Sequence, residues 1–245
     1  VLVLSSVIAA ALIKNERILL GIATALLIGL ICGAFNGLLI AKVGIAPFVA
    51  TYGVDFIAIG IAYVYTGGVS IYGFSDKFRS ISTFSVGGVT SLAVITLVIL
   101  LVLQFLTKRT TFGRGMYAAG TNYQATILSG ISADKTIICI YIINGLLAAL
   151  TGLLYMARLN AADPGISGNF TLDSIAASLI GGNSFVGGEG SVANAAVGAL
   201  IIVFLRNGMN ILGGATTWQQ AAIGFVILAS LGLEAATRKL AAVKN

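Results

Sequence analysis

Residues 18–41 read ILLGIATALLIGLICGAFNGLLIA, a run of 24 residues without a single charge. A helix over this run, at about 1.5 Å per residue, is about 36 Å long, enough to cross roughly 30 Å of hydrocarbon. Lipid offers no partner to a backbone N–H or C=O, so a segment of this length and composition crosses as a helix, which satisfies its own amides. Gly29, Gly33 and Gly37 repeat every four residues and share one helix face. Small residues at that spacing let a second helix approach backbone to backbone. A matching pattern, Gly145/Ala149 with Ala148/Gly152, lies in a later apolar run. Both patterns are read as packing surfaces rather than as contacts to a substrate.

Working outward, the whole chain has the same character. Of 245 residues, 58% are apolar and 9% charged, against roughly 25% charged in an ordinary soluble domain. A cytosolic enzyme, a nucleic-acid binder and a disordered regulator are excluded on that ground. The net charge of +6 is carried by basic residues between apolar runs, which read as topology determinants facing lipid headgroups rather than nucleic acid. The chain has no His, the commonest general base and metal ligand. Cys32 and Cys139 each lie alone inside an apolar run, which predicts neither a disulfide nor a metal site, and no cofactor is expected. No Gly-x-x-x-x-Gly-Lys-Ser/Thr phosphate loop occurs, so a nucleotide-driven motor would have to be another chain.

Further apolar runs are Val1–Ile13, Pro47–Tyr65, Thr90–Thr107, Thr136–Ala157, Leu172–Phe185, Ser191–Leu205 and Trp218–Leu233. The first covers only about 20 Å as a helix, which predicts more chain before Val1, with at least one further span. Several of the short runs are rich in Gly and predict broken or re-entrant segments. The fold class is therefore an all-α polytopic membrane protein, a multi-span helical bundle forming one membrane domain over residues 1–245. Placing the loop 108–135 and the basic tail 236–245 inside puts Lys42 inside as well. Gly67–Gly87 and Arg158–Asp173 then lie outside, provided Leu172–Phe185 counts as a crossing. Tyr65 and Trp218 fall at span ends, where aromatic rings favour the interface. Asn207 and Asn210 read as caps at the outer end of their span.

The loop reads KRTTFGRGMYAAGTNYQATILSGISADK from Lys108 to Lys135. That is long for a simple connection. Thr121 or Asn122 can cap a short helix over Tyr123–Leu128, and Gly130 can end it. Such a helix, framed by glycines, suits docking of a soluble subunit, the alternative being an interfacial helix without a partner. The stretch FGRGMYAAGTNYQATILSGI resembles the cytoplasmic signature of bacterial ATP-binding-cassette import permeases for ribose and similar monosaccharides. The segments FNGLLIAKVGIAPFVATYG, YTGG, LLAALTGLLYMARLNAADP, LDSIAASLIGGNSFVGGEGS and GALIIVFLRNGMNILG match the same family in the same order. The resemblance runs from Val1 to about Leu233.

That resemblance implies a multi-pass permease of the bacterial inner membrane with a cytoplasmic C-terminus, not itself an enzyme. It implies a second permease copy, a separate ATPase subunit and an extracytoplasmic sugar-binding protein as partners. Arg114, Gly120, Asn122, Ala125, Leu128, Ser129 and Gly130 fall on the segment that touches the ATPase. The chain departs from the family pattern at Thr121 and at Tyr123-Gln124, where a Gly and acidic residues are frequent. This departure bears on which ATPase is recognised. Related branches carrying nucleosides or a furanosyl signalling molecule are the alternative cargoes.

Two features within the membrane are candidates for the translocation path. Asp55 lies halfway along Pro47–Tyr65, and a charge there is functional by default. It is either a path residue or a structural carboxylate bonded to a neighbouring helix, such as that of Asn36. The block GGNSFVGGEG at 181–190 interrupts helical regularity, which makes Asn183 and Ser184 candidates for the path or gate and Phe185 for a hydrophobic plug. The other reading of the block is a tight turn at the inner surface with Glu189 solvated. An ion-coupled carrier would call for paired intramembrane charges and inverted repeats; one Asp is found and no convincing repeat.

Overall fold

The computed structural model describes residues 1–86, 88–166, 170–213, 218–219, 221–230 and 232. The basic tail 236–245 lies outside them. Helices dominate in chain order: α1 (Leu2–Lys14), α2 (Ile18–Ala41) and α3 (Pro47–Thr66), then strand β1 (Ile71–Tyr72) and helix α4 (Asp76–Thr83). Strands β2 (Ser85–Val86) and β3 (Val89–Thr90) precede α5 (Ser91–Arg109), α6 (Thr111–Thr121), α7 (Tyr123–Leu128) and α8 (Ala133–Leu159). Strand β4 (Ala161–Ala162), α9 (Phe170–Ile180) and α10 (Val192–Ile211) follow, with a last helix α11 (Ala221–Ser230).

Helices α2, α3, α5, α8 and α10 are long and apolar enough to cross a membrane. Their bounds fall within a few residues of the runs expected from hydropathy, because the length of a span is set locally by bilayer thickness. The segment Leu172–Phe185 is broken. Its helix ends at Ile180 after 11 residues, about 16 Å of rise, which is roughly half the hydrocarbon thickness. Glycines with positive φ follow at 182, 187, 188 and 190, and the chain re-enters a helix only at Val192.

The chain divides into two compact units, Val1–Ile99 with Gly130–Gly168, and Leu100–Ser129 with Asn169–Asn245. In the first, α2 and α8 lie antiparallel at very close approach. A Cβ at Gly33 would collide with the carbonyl of Tyr141 and lie 2.9 Å from Ile142 Cα. One at Gly37 would lie 2.8 Å from Ile138 Cα, and Gly29 and Gly145 face one another's carbonyls. The two small-residue patterns thus meet each other. Helix α1 fills the remaining groove, burying Val3, Val7, Ala10 and Ile13, and Gly152 of α8 accommodates the Leu2 carbonyl.

Opposite ends of this unit differ in chemistry. At one end Lys42 Nζ meets Asp134 Oδ2 at 2.7 Å, joining the end of α2 to the first turn of α8. At the other, β1 pairs antiparallel with β4, Ile71 opposite Ala162. There the Phe74 N–H donates to Asn160 Oδ1 at 2.9 Å, and the ring of Phe74 sits edge-on to that of Phe78. Phe78, on the inner face of α4, is buried.

In the second unit α9 and α10 form a hairpin. A Cβ at Gly198 would strike the Ala177 carbonyl and lie 2.7 Å from the Gly181 nitrogen. Ala176, Ala177, Ile202 and Ile223 form its small core, with Ile180 and Ile227 against them.

Candidate functional site

The segment after α5 is built by two side-chain caps. Thr110 Oγ1 accepts from the Gly113 N–H at 3.2 Å and starts α6. Gly113 is required there, since any Cβ would run into the Thr107 carbonyl. Asn122 Oδ1 accepts from the Ala125 N–H at 3.0 Å and starts α7, satisfying an orphan donor of the first turn. Gly130 follows with φ +81°. Helix α7 thus occupies the residues that its capping pattern predicts.

Most of the sequence-predicted docking residues are presented outward. Arg114, Asn122, Ala125, Ser129 and Gly130 are exposed, and Leu128 is 87% exposed at the end of α7. Tyr123 and Ile127 are also partly bare, so the segment ends in an apolar tip with a guanidinium on the preceding helix. Gly120 is exposed as well, but a Cβ there would lie 2.6 Å from the Gly188 nitrogen. The block 181–190 therefore lies directly against α6. Tyr117 Oη confirms the placement by donating to the Gly190 carbonyl at 2.9 Å.

Within the block, Asn183 acts as a brace. Its Oδ1 accepts from the Ser191 N–H at 2.7 Å, and its Nδ2 donates to Ser178 Oγ at 3.1 Å. The amide ties the end of α9 to the start of α10. Ser184 donates its N–H to the Glu189 carbonyl at 3.2 Å and accepts from the Val186 N–H through Oγ. Phe185 is 58% exposed at the loop tip, and Glu189 is exposed.

Asp55 lies in the other unit. It stands within α3 and is half-buried. Asn36 is buried on α2, its Oδ1 without a hydrogen-bond partner among the described residues.

Three contacts were not anticipated from the sequence. Arg206 Nη2 pairs with Asp173 Oδ1 at 2.7 Å, linking α10 to α9. Asp173, expected in an outer loop, sits in the first turn of α9. Gln104 Oε1 accepts from the Ala193 N–H at 3.2 Å, joining α5 to α10. Asn207 and Asn210 lie inside the last turn of α10 rather than beyond it, and Asn210 Oδ1 accepts from Gln219 at 2.6 Å. These side chains are polar groups at or near the ends of apolar runs, the one signal that could have flagged them.

The model of a family described as branched-chain amino acid transport system / permease component matches residues 1–231. The chain belongs to this permease family. The D-allose transport system permease protein AlsC of Escherichia coli is 38% identical over 208 residues, 85% of this chain and 64% of that protein. The ribose import permease protein RbsC of Haemophilus influenzae is 39% identical over 236 residues, 94% of this chain and 73% of its own length. The xylose transport system permease protein XylH of Escherichia coli is 40% identical over 152 residues, 62% of this chain and 39% of that protein. No solved structure matches the chain. The family membership and, among the described residues, five helices long and apolar enough to cross a membrane make the chain a multi-pass membrane permease.

Proposed function

We propose that this permease is the translocation subunit of a bacterial ATP-driven importer carrying a monosaccharide, ribose-like or another simple sugar. The observation that carries the reading is the α6–α7 segment, which presents an exposed Arg114 on α6 and an exposed Leu128 at the end of α7 in a member of an import-permease family. An apolar tip ringed by polar groups is what a soluble partner recognises. The cargo is inferred from relatives named for allose, ribose and xylose. A neutral polyhydroxylated sugar needs scattered amides and hydroxyls rather than a fixed charge, which suits a chain with few intramembrane charges.

In this reading an ATPase subunit binds at Arg114, Gly120, Asn122, Ala125, Leu128, Ser129 and Gly130. An extracytoplasmic binding protein delivers sugar to the opposite face, and a second permease copy completes the path. The Lys42–Asp134 pair supports an inner face shared by the end of α2 and the start of α8, as the positive-inside bias predicts. The C-terminal tail lies on that inner face. The contact of their block with α6 supports the second reading of Asn183, Ser184 and Phe185, a turn at the inner face.

The test is to extract the full-length permease in mild detergent with its native neighbours and identify what co-purifies. A stoichiometric ATPase, with hydrolysis stimulated by a sugar-loaded binding protein, is expected. Leu128→Glu and Arg114→Glu should abolish ATPase capture while leaving the permease in the membrane. A permease that emerges alone and transports in ATP-free liposomes would overturn the reading.

A further inference from the structure

Tyr117, Gly120 and Thr121 share one face of α6, at i, i+3 and i+4, and all three meet the loop between α9 and α10. A Cβ at Gly120 would lie 2.6 Å from the Gly188 nitrogen and 3.1 Å from its Cα. In return, a Cβ at Gly188 would lie 2.9 Å from both the Cα and the nitrogen of Thr121. Backbone meets backbone between Gly120 and Gly188, and the Thr121 hydroxyl closes the same contact on Gly188. Tyr117 Oη adds a hydrogen bond to the Gly190 carbonyl. The loop is also stiff, since Asn183 braces both of its ends.

A contact between side chains can absorb a small displacement by changing rotamer, whereas a close contact between backbones has no rotamer to change and passes it on. We propose that movement of the α6–α7 segment is delivered to the α9–α10 hairpin through the Gly120–Gly188 and Tyr117–Gly190 contacts. Tyr117 and Gly188 are then positioning residues for transport that do not touch the ATPase. The proposal rests on the reading that α6–α7 is where the ATPase docks. Division of labour between the two helices follows: α7 with its bare Leu128 receives the partner, and the inner face of α6 transmits.

The experiment uses the full-length permease reconstituted in liposomes with its ATPase and binding protein. The probe is whichever of ribose, allose and xylose stimulates ATP hydrolysis. Three variants are compared for membrane content, ATPase capture and sugar imported per ATP hydrolysed: Tyr117→Phe, Gly188→Ala and Leu128→Glu. Tyr117→Phe and Gly188→Ala should retain capture within about twofold but lower sugar per ATP by about fivefold or more, the range of a typical coupling between sites. Wild-type sugar per ATP in both overturns the proposal. If Gly188→Ala does not accumulate, Tyr117→Phe decides alone, because it removes one hydroxyl and leaves the ring. Leu128→Glu separates the two failures. Full capture and uptake in that variant would remove the docking site itself, whereas loss of capture there beside normal Tyr117→Phe coupling would remove only the transmission route.

Discussion

Gly33 and Gly60 are both glycines within membrane-spanning helices, yet a methyl group would meet opposite surroundings at the two positions. At Gly33 it would collide with the Tyr141 carbonyl, while at Gly60 nothing lies within 4 Å. Neither clash partner at Gly33 can yield, since both are backbone atoms of α8. Gly33→Ala should therefore cost about 1–3 kcal/mol through forced separation of α2 from α8. Gly60→Ala should be neutral or stabilise by about 0.5–1 kcal/mol, because glycine is a poor helix former. Unfolding of the purified variants by titrated denaturing detergent measures the difference. The charges need the same discrimination. Lys42 is 61% exposed in its pair with Asp134, and exposed pairs contribute at most about 1 kcal/mol.

At the scale of elements, the α9–α10 hairpin holds a short helix against a long one. Its apolar core is small, and α9 alone is about half a bilayer long. The Asp173–Arg206 pair, with side chains 19% and 31% exposed respectively, fastens the end remote from the loop. Removing one partner leaves the other charge poorly solvated, which costs more than the intact pair contributes. Asp173→Ala is expected to destabilise the permease by about 1–3 kcal/mol. The exchange Asp173→Arg with Arg206→Asp should recover part of that loss. A double-mutant cycle on detergent unfolding checks this, and additivity of the two single changes would show that the pair is idle.

For the whole molecule, the pattern of basic residues predicts which loops face which side. The loop 108–135 carries Lys108, Arg109, Arg114 and Lys135, and Ser129 within it is exposed. Lys77 stands on α4 at the end of the first unit remote from Lys42. With Cys32 and Cys139 replaced by Ser, a cysteine introduced at Ser129 should react with a membrane-impermeant maleimide only in inside-out vesicles. One introduced at Lys77 should react only in intact cells stripped of any outer layer. The reverse pattern would invert the proposed topology and place α7 where no ATPase could reach it.

Much of this protein is legible in one dimension because a bilayer imposes local rules. A span must be apolar for a set length, so α2, α3, α5, α8 and α10 declare themselves residue by residue. Asn122 announces α7 because a cap and its helix are neighbours in the chain. The ordered motifs likewise point to the permease family. What the sequence could not say is which surface meets which. The glycines of α2 and α8 are visible as stripes, but their meeting at Gly33 and Tyr141 depends on the fold. Tyr117 and Gly190 are 73 residues apart, and Asp173 and Arg206 are 33 apart. No periodicity relates such pairs, and an isolated polar residue in an apolar run looks the same whether it meets a partner, a path or a turn. The block 181–190 shows the consequence: its glycines advertise a break in helix, but only packing against α6 made it a seat for the neighbouring segment, because backbone contact at such range is settled by close packing in three dimensions.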